Sequence, residues 1–141
     1  ALIGNSNSSN HDIKLCETLL QAVGDTVVLE SESQMDAVTA VSGSGPAYVF
    51  HLIEALAAAG VDQGLSAQLA MKLAKKTVAG AGALAFHSEE SPEQLRVNVT
   101  SPGGTTQAAL EILMDVETGF PKVLLEGVKA AANRSKELGK A

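Results

Sequence analysis

The run Val78-Ala79-Gly80-Ala81-Gly82-Ala83-Leu84-Ala85-Phe86 contains no polar side chain, so as a helix it has no face to offer water. It closes a segment that opens after Ser66, a good helix cap, and reaches about His87. The stretch before it, Pro46 to Ala59, is apolar on nearly every side except at His51 and Glu54, with Gly60 just past its end. Helices that are apolar all round must be buried all round, and a chain of 141 residues has too little other mass to surround two of them. Their small residues let another backbone come close, so the expected burial is intersubunit and the chain an obligate oligomer. The fold class that follows is all-α, a helical bundle that interlocks with a second subunit. At most one short strand is expected, in the β-branched run Thr26 to Glu30.

The rest of the composition agrees with a helical chain. It has 22 Ala and 17 Leu, and 45% of its residues are apolar, enough to form a core. Ten Lys and Arg against sixteen Asp and Glu leave a net charge of −6, which repels nucleic acid and anionic membrane surfaces. With 3% aromatic residues and no Trp, platforms for stacking bases or glycans lack material. The single cysteine, Cys16, has no partner for a disulfide, and no basic segment leads into an apolar one at the start, so a cytoplasmic address is expected.

Further elements follow from spacing. Residues 5 to 10, Asn-Ser-Asn-Ser-Ser-Asn, have no helical or strand period and read as a linker or tag. From about Asp12, the residues Ile13, Cys16, Leu19, Leu20 and Val23 recur at helical spacing until Gly24. Ser91-Pro92-Glu93-Gln94 is a helix start with cap, N1 proline and a Gln three residues on, and this short helix is expected to end near Thr100. Another helix opens after Gly104 and runs to about Val116, and a last one from about Pro121 to Leu138.

Between two of these helices lies Asn98-Val99-Thr100-Ser101-Pro102-Gly103-Gly104-Thr105-Thr106, the segment with most chemistry in it. Pro102 fixes one φ, Gly103 and Gly104 bare the backbone to a ligand, and the following helix offers unpaired N–H groups at its positive end. The hydroxyls of Ser101, Thr105 and Thr106 add donors, so the segment can cradle a carboxylate or phosphate. A plain N-cap with a glycine turn is the alternative. Ser42-Gly43-Ser44-Gly45-Pro46 fails the dinucleotide fingerprint, because Tyr48 stands where the third Gly belongs. His11, His51 and His87 lie about forty residues apart without paired ligands, so no metal is expected, and His51 reads as a hydrogen-bonded core or interface residue.

Two long ordered stretches, Ala37-Val38-Thr39-Ala40-Val41-Ser42-Gly43-Ser44-Gly45-Pro46-Ala47-Tyr48-Val49-Phe50 and Val99-Thr100-Ser101-Pro102-Gly103-Gly104-Thr105-Thr106, resemble the C-terminal domain of pyrroline-5-carboxylate reductases. The resemblance runs from about Asp12 to Lys140. It implies an oxidoreductase that reduces 1-pyrroline-5-carboxylate to L-proline with NADPH or NADH, the dinucleotide being held mainly by an N-terminal Rossmann domain not contained in these residues. It also implies a homodimer, or a higher oligomer built of dimers. Residues 1 to 10 then read as linker, tag or remnant of the nucleotide domain, and 11 to 141 as the helical dimerisation and substrate-binding domain, inactive alone. By motif position, Ser101, Gly103 and the amides of Gly104 and Thr105 bind the substrate carboxylate, and the Thr106 hydroxyl meets the ring nitrogen. Asn98 and Val99 line the boundary with the nicotinamide, and Glu32 stands where the family has an acidic residue near the cofactor. A purely structural oligomerisation module, whose glycine loops serve packing alone, is the competing reading.

Overall fold

The structure, a computed structural model, describes residues 1–140; Ala141, the end of the expected substrate-binding domain, lies outside them. The described residues form α1 (Asn10–Leu20), α2 (Met35–Val38), α3 (Gly45–Asp62), α4 (Ala67–His87), α5 (Pro92–Asn98), α6 (Thr105–Leu113) and α7 (Phe120–Leu138). The fold is all-α, and among the described residues no helix is long and apolar enough to cross a membrane. The chain divides into two compact units, Ala1–Ser44 with the segment from Gly127 onward, and Gly45–Glu126.

In the first unit, the expected strand shrinks to a single parallel bridge between Leu2 and Val28. Leu2 donates to the Val27 carbonyl at 2.9 Å and accepts from the Leu29 amide at 2.9 Å. One bridge is all that a lone residue beside Thr26–Glu30 can pair, so β-propensity finds no further partner there. The polar run before α1 does structural work at its end: Ser9 caps the helix, and the Asp12 carboxylate accepts from the Ser9 amide at 2.8 Å. The Ser9 hydroxyl and amide together hold the Asp12 carboxyl below the ordinary carboxylate range. A 3₁₀ turn (Glu32–Gln34) leads into α2, which passes directly into a π turn over Thr39–Gly43. The chain thus reaches Ser42-Gly43-Ser44 through a wide turn, within which Ala40 is fully buried. The C-terminal half of α7 brings Ser135 to this unit, where its hydroxyl donates to Asp36 Oδ1 at 2.6 Å.

The second unit is organised by the antiparallel-neighbour pair α3 and α4, joined by a short turn in which Gly64 takes φ +94°. Helix α3 runs past Ala59 to Asp62, so Gly60 is inside the helix and not beyond it. Its role is close approach: a Cβ at Gly60 would meet the Ala70 Cβ at 3.2 Å. The buried residues at this contact are Ala57, Ala70 and Ala74, with Ile53 and Met71 packed around them. Small residues buried at a helix crossing leave the large ones to cover its rim. Here that rim is bare, since Phe50, Leu69, Leu73 and Leu84 are all exposed and Phe86 is 74% exposed.

After α6 the chain turns on Asp115, whose Oδ1 accepts from the Thr118 hydroxyl and from the amides of Glu117 and Thr118 at 2.8 to 2.9 Å. These donors, the Thr118 hydroxyl foremost, hold the Asp115 carboxyl below its usual range. This turn ends α6 at Leu113, short of the expected Val116. It closes on Gly119, where a Cβ would stand 2.5 Å from the Leu113 carbonyl oxygen and 2.6 Å from that of Asp115. Backbone oxygens cannot rotate away. Gly119→Ala is therefore expected to cost about 2 to 3 kcal/mol, read as a lower urea midpoint at fixed chain concentration. An unchanged midpoint would show that the turn yields freely.

Candidate functional site

Helix α5 places one rim of the site. Ser91 caps it by accepting from the Gln94 amide at 3.2 Å, with Pro92 in its first turn. Gln94 does not reach back to complete a capping box; its Nε2 donates forward to Asn98 Oδ1 at 2.8 Å. Asn98 in turn donates to Glu90 Oε2 at 3.0 Å, so both ends of its carboxamide are engaged within the chain. Helix α5 ends at Asn98, two residues before the expected Thr100, and Val99, its C-cap, is 64% exposed. Thr100 folds back, its hydroxyl donating to the Arg96 carbonyl at 2.6 Å.

The loop that follows tests the expected row of donors amide by amide. The Gly104 amide donates to the Ser101 carbonyl at 3.0 Å, and the same oxygen would lie 3.0 Å from a Cβ at Gly104. The Gly103 amide, at φ +68°, donates to Gln107 Oε1 at 2.7 Å. These two amides are occupied. Gly104 nevertheless caps α6 without any side-chain acceptor, so the amides of Thr105 and Thr106 find no oxygen among the described residues. The open main-chain amides at the start of α6 are thus those of Thr105, Thr106 and Gln107, so that of the Gly104 and Thr105 pair expected from motif position only Thr105 is open. The hydroxyls of Ser101, Thr105 and Thr106 are likewise without partners among the described residues, and all three side chains are exposed.

Gln107 was not among the expected site residues. Its place three positions after the cap is the capping-box position, a signal the sequence does carry. It also lines a groove of about 350 Å³ with Arg96, Thr100, Leu110 and Glu111. Arg96 is held there only loosely, its guanidinium 3.3 Å from the Met114 sulfur and 4.0 Å from a Glu93 carboxylate oxygen. Glu32 is not part of this loop; it lies exposed in the 3₁₀ turn of the first unit. His51 is exposed, with Nδ1 3.1 Å from Glu54 Oε2, so its partner is its own helix neighbour and not a core group.

Apolar helices with a bare rim, followed in the chain by a glycine loop with open amides after it, define a helical oligomerisation domain. Residues 32–138 match the family model described as pyrroline-5-carboxylate reductase dimerisation. A pyrroline-5-carboxylate reductase of Synechocystis is 46% identical over 140 residues, 99% of this chain and 51% of that protein. One from Pseudomonas aeruginosa is 44% identical over 97% of this chain and 50% of that protein. Among solved structures, a pyrroline-5-carboxylate reductase from Coxiella burnetii superposes with a TM-score of 0.88 at 39% identity, covering 96% of this chain and 50% of that one. The Plasmodium falciparum pyrroline carboxylate reductase with NADP bound gives 0.81 at 36% identity, covering 96% and 50%. The chain belongs to the pyrroline-5-carboxylate reductase family, as its dimerisation domain. It spans about half the length of the curated relatives it matches.

Proposed function

We propose that this domain supplies the dimer interface and the imino-acid site of an enzyme that reduces 1-pyrroline-5-carboxylate to L-proline. It works joined to a nucleotide-binding domain that holds NADPH or NADH, in the cytoplasm, as a homodimer or a larger oligomer of dimers. Residues 1 to 10 are a linker, a tag or a remnant of that second domain in this reading. The helical substrate-binding part follows from residue 11.

One observation carries the site assignment: adjacent Thr105 and Thr106 amides stand open just after a loop whose Gly103 and Gly104 amides are already engaged. Two parallel N–H groups at the positive end of a helix suit the two oxygens of a carboxylate. Local donors at contact distance outweigh a net charge of −6 spread over the molecule and screened by salt. Ser101 adds a hydroxyl to the same oxygens. Thr106 Oγ1 then meets the ring nitrogen, whose protonated form makes the C=N carbon electrophilic, and accepts its proton as a hydrogen bond. Fixing the acid at one end and the nitrogen at the other sets the ring face, which is the protein's share of the work. The nicotinamide, when bound, supplies the hydride. The exposed Val99 side chain fits an apolar wall beside it, whereas Asn98 has its carboxamide committed and serves to hold the end of α5.

Amide NMR of the purified chain, titrated with L-proline, tests this reading. The Thr105 and Thr106 amides are expected to shift most, with Gly104 following less. A spectrum unchanged up to high L-proline concentration would leave the purely structural oligomerisation module standing in its place.

A further inference from the structure

A helix N-terminus that must accept an anion faces a conflict with its own capping. The best residue at the third helical position is Glu or Gln, whose side chain reaches back to an orphan amide, and Glu also favours the helix dipole. In α6 that position is Gln107. The cap's own amide is already taken by the Ser101 carbonyl, so Gln107 reaches one residue further, to the Gly103 amide at 2.7 Å. Its orientation is set at both ends, because Nε2 faces Glu111 Oε1 at 3.5 Å while the oxygen faces the N–H donor. The carboxamide oxygen therefore closes the loop on the positive-φ glycine, immediately beside the two open amides of Thr105 and Thr106.

We propose that Gln107 is a positioning residue that closes the 101–106 loop through Gly103 with a neutral oxygen, and that its neutrality keeps the Thr105 and Thr106 donors available to a carboxylate ligand. The inference rests on the carboxylate reading above. A Glu at this position would close the loop equally well through the same Gly103 amide, yet it would set a full negative charge next to the incoming acid. Two unit charges about 6 Å apart, near a protein surface, repel by enough to weaken binding about tenfold or more.

L-proline binding to the purified chain is measured by amide NMR titration for the wild type, Gln107→Glu and Gln107→Met, with thermal melts of each. Gln107→Glu is expected to melt close to the wild type, since the gain in capping offsets a new like-charge contact with Glu111. It is expected to bind L-proline about tenfold more weakly at low salt, with the deficit shrinking as salt is raised toward about 1 M. Gln107→Met, which loses the cap but adds no charge, is expected to melt lower and to bind within about threefold of the wild type. Equal binding by Gln107→Glu and wild type would overturn the inference while leaving the carboxylate site intact. So would a salt-independent deficit, or a Gln107→Met defect as large as that of Gln107→Glu, because either leaves the neutrality of Gln107 without a part in binding. No shift at Thr105 and Thr106 in the wild type would overturn both readings together.

Discussion

Replacing Leu84 and Phe86 together by Asp is expected to convert the dimer into a monomer that does not hold its fold. Their side chains are 54% and 74% exposed, on a helix whose second half has no polar face. Among the described residues the buried hydrophobic side chains are only Ala40, Ala57, Ala70 and Ala74. So small a buried core does not offset the entropy of ordering such a chain, and burial against a second copy is expected to contribute much of the stability. Each substitution removes a large apolar group and asks a carboxylate to be buried, and a two-fold interface repeats the loss. A penalty of about 6 kcal/mol per dimer corresponds to about 10⁴-fold weaker association. Light scattering should then give the mass of one chain across micromolar concentrations, and circular dichroism should show lost helix. The wild-type melting temperature should rise with concentration, as linkage to association requires. A doubly substituted chain that keeps the mass of two chains and an unshifted melt would place the interface on other helices.

That expectation starts from nine residues read without a structure, and the reason they suffice is elementary. Absence of polarity around a full helical turn is a statement about solvent, and it holds whichever helix crosses which. The same reasoning located the glycine loop, because proline and paired glycines constrain backbone whatever surrounds them. Where pairing depends on a distant residue, spacing fell short. Thr26 to Glu30 has the composition of a strand, but Leu2 alone pairs with it, so a bridge forms. Gly60 looks like a helix terminator, yet it lies within α3 because Ala70 of α4 needs the space its missing side chain leaves. The donors show the same limit at finer scale. Sequence position marks Gly104 and Thr105 as equivalent, and only the closure of the turn onto the Ser101 carbonyl removes the first of them.

In an enzyme that joins this chain to a nucleotide-binding domain, as proposed, Thr106→Ala is expected to lower kcat/KM for imine reduction by about 10- to 100-fold. The hydroxyl has no partner among the described residues and stands on an exposed side chain, so its removal takes nothing from the fold. Surface changes of this kind stay within about 0.5 kcal/mol of stability, which separates a kinetic loss from an unfolding one. What the hydroxyl would contribute is a hydrogen bond to a ring nitrogen that carries positive charge, and such bonds are worth about 1.5 to 3 kcal/mol. Because charge at that nitrogen is what makes the neighbouring carbon electrophilic, the loss should fall on kcat more than on KM. Ser101→Ala should do the reverse, raising KM with a smaller change in kcat, since its hydroxyl would serve the carboxylate, which does not change through the reaction. Thr106→Ser keeps the oxygen and should recover most of the rate. Unchanged reduction by the Thr106→Ala enzyme would remove the nitrogen contact from the mechanism, and a loss confined to KM would move Thr106 from the ring nitrogen to the acid end of the substrate.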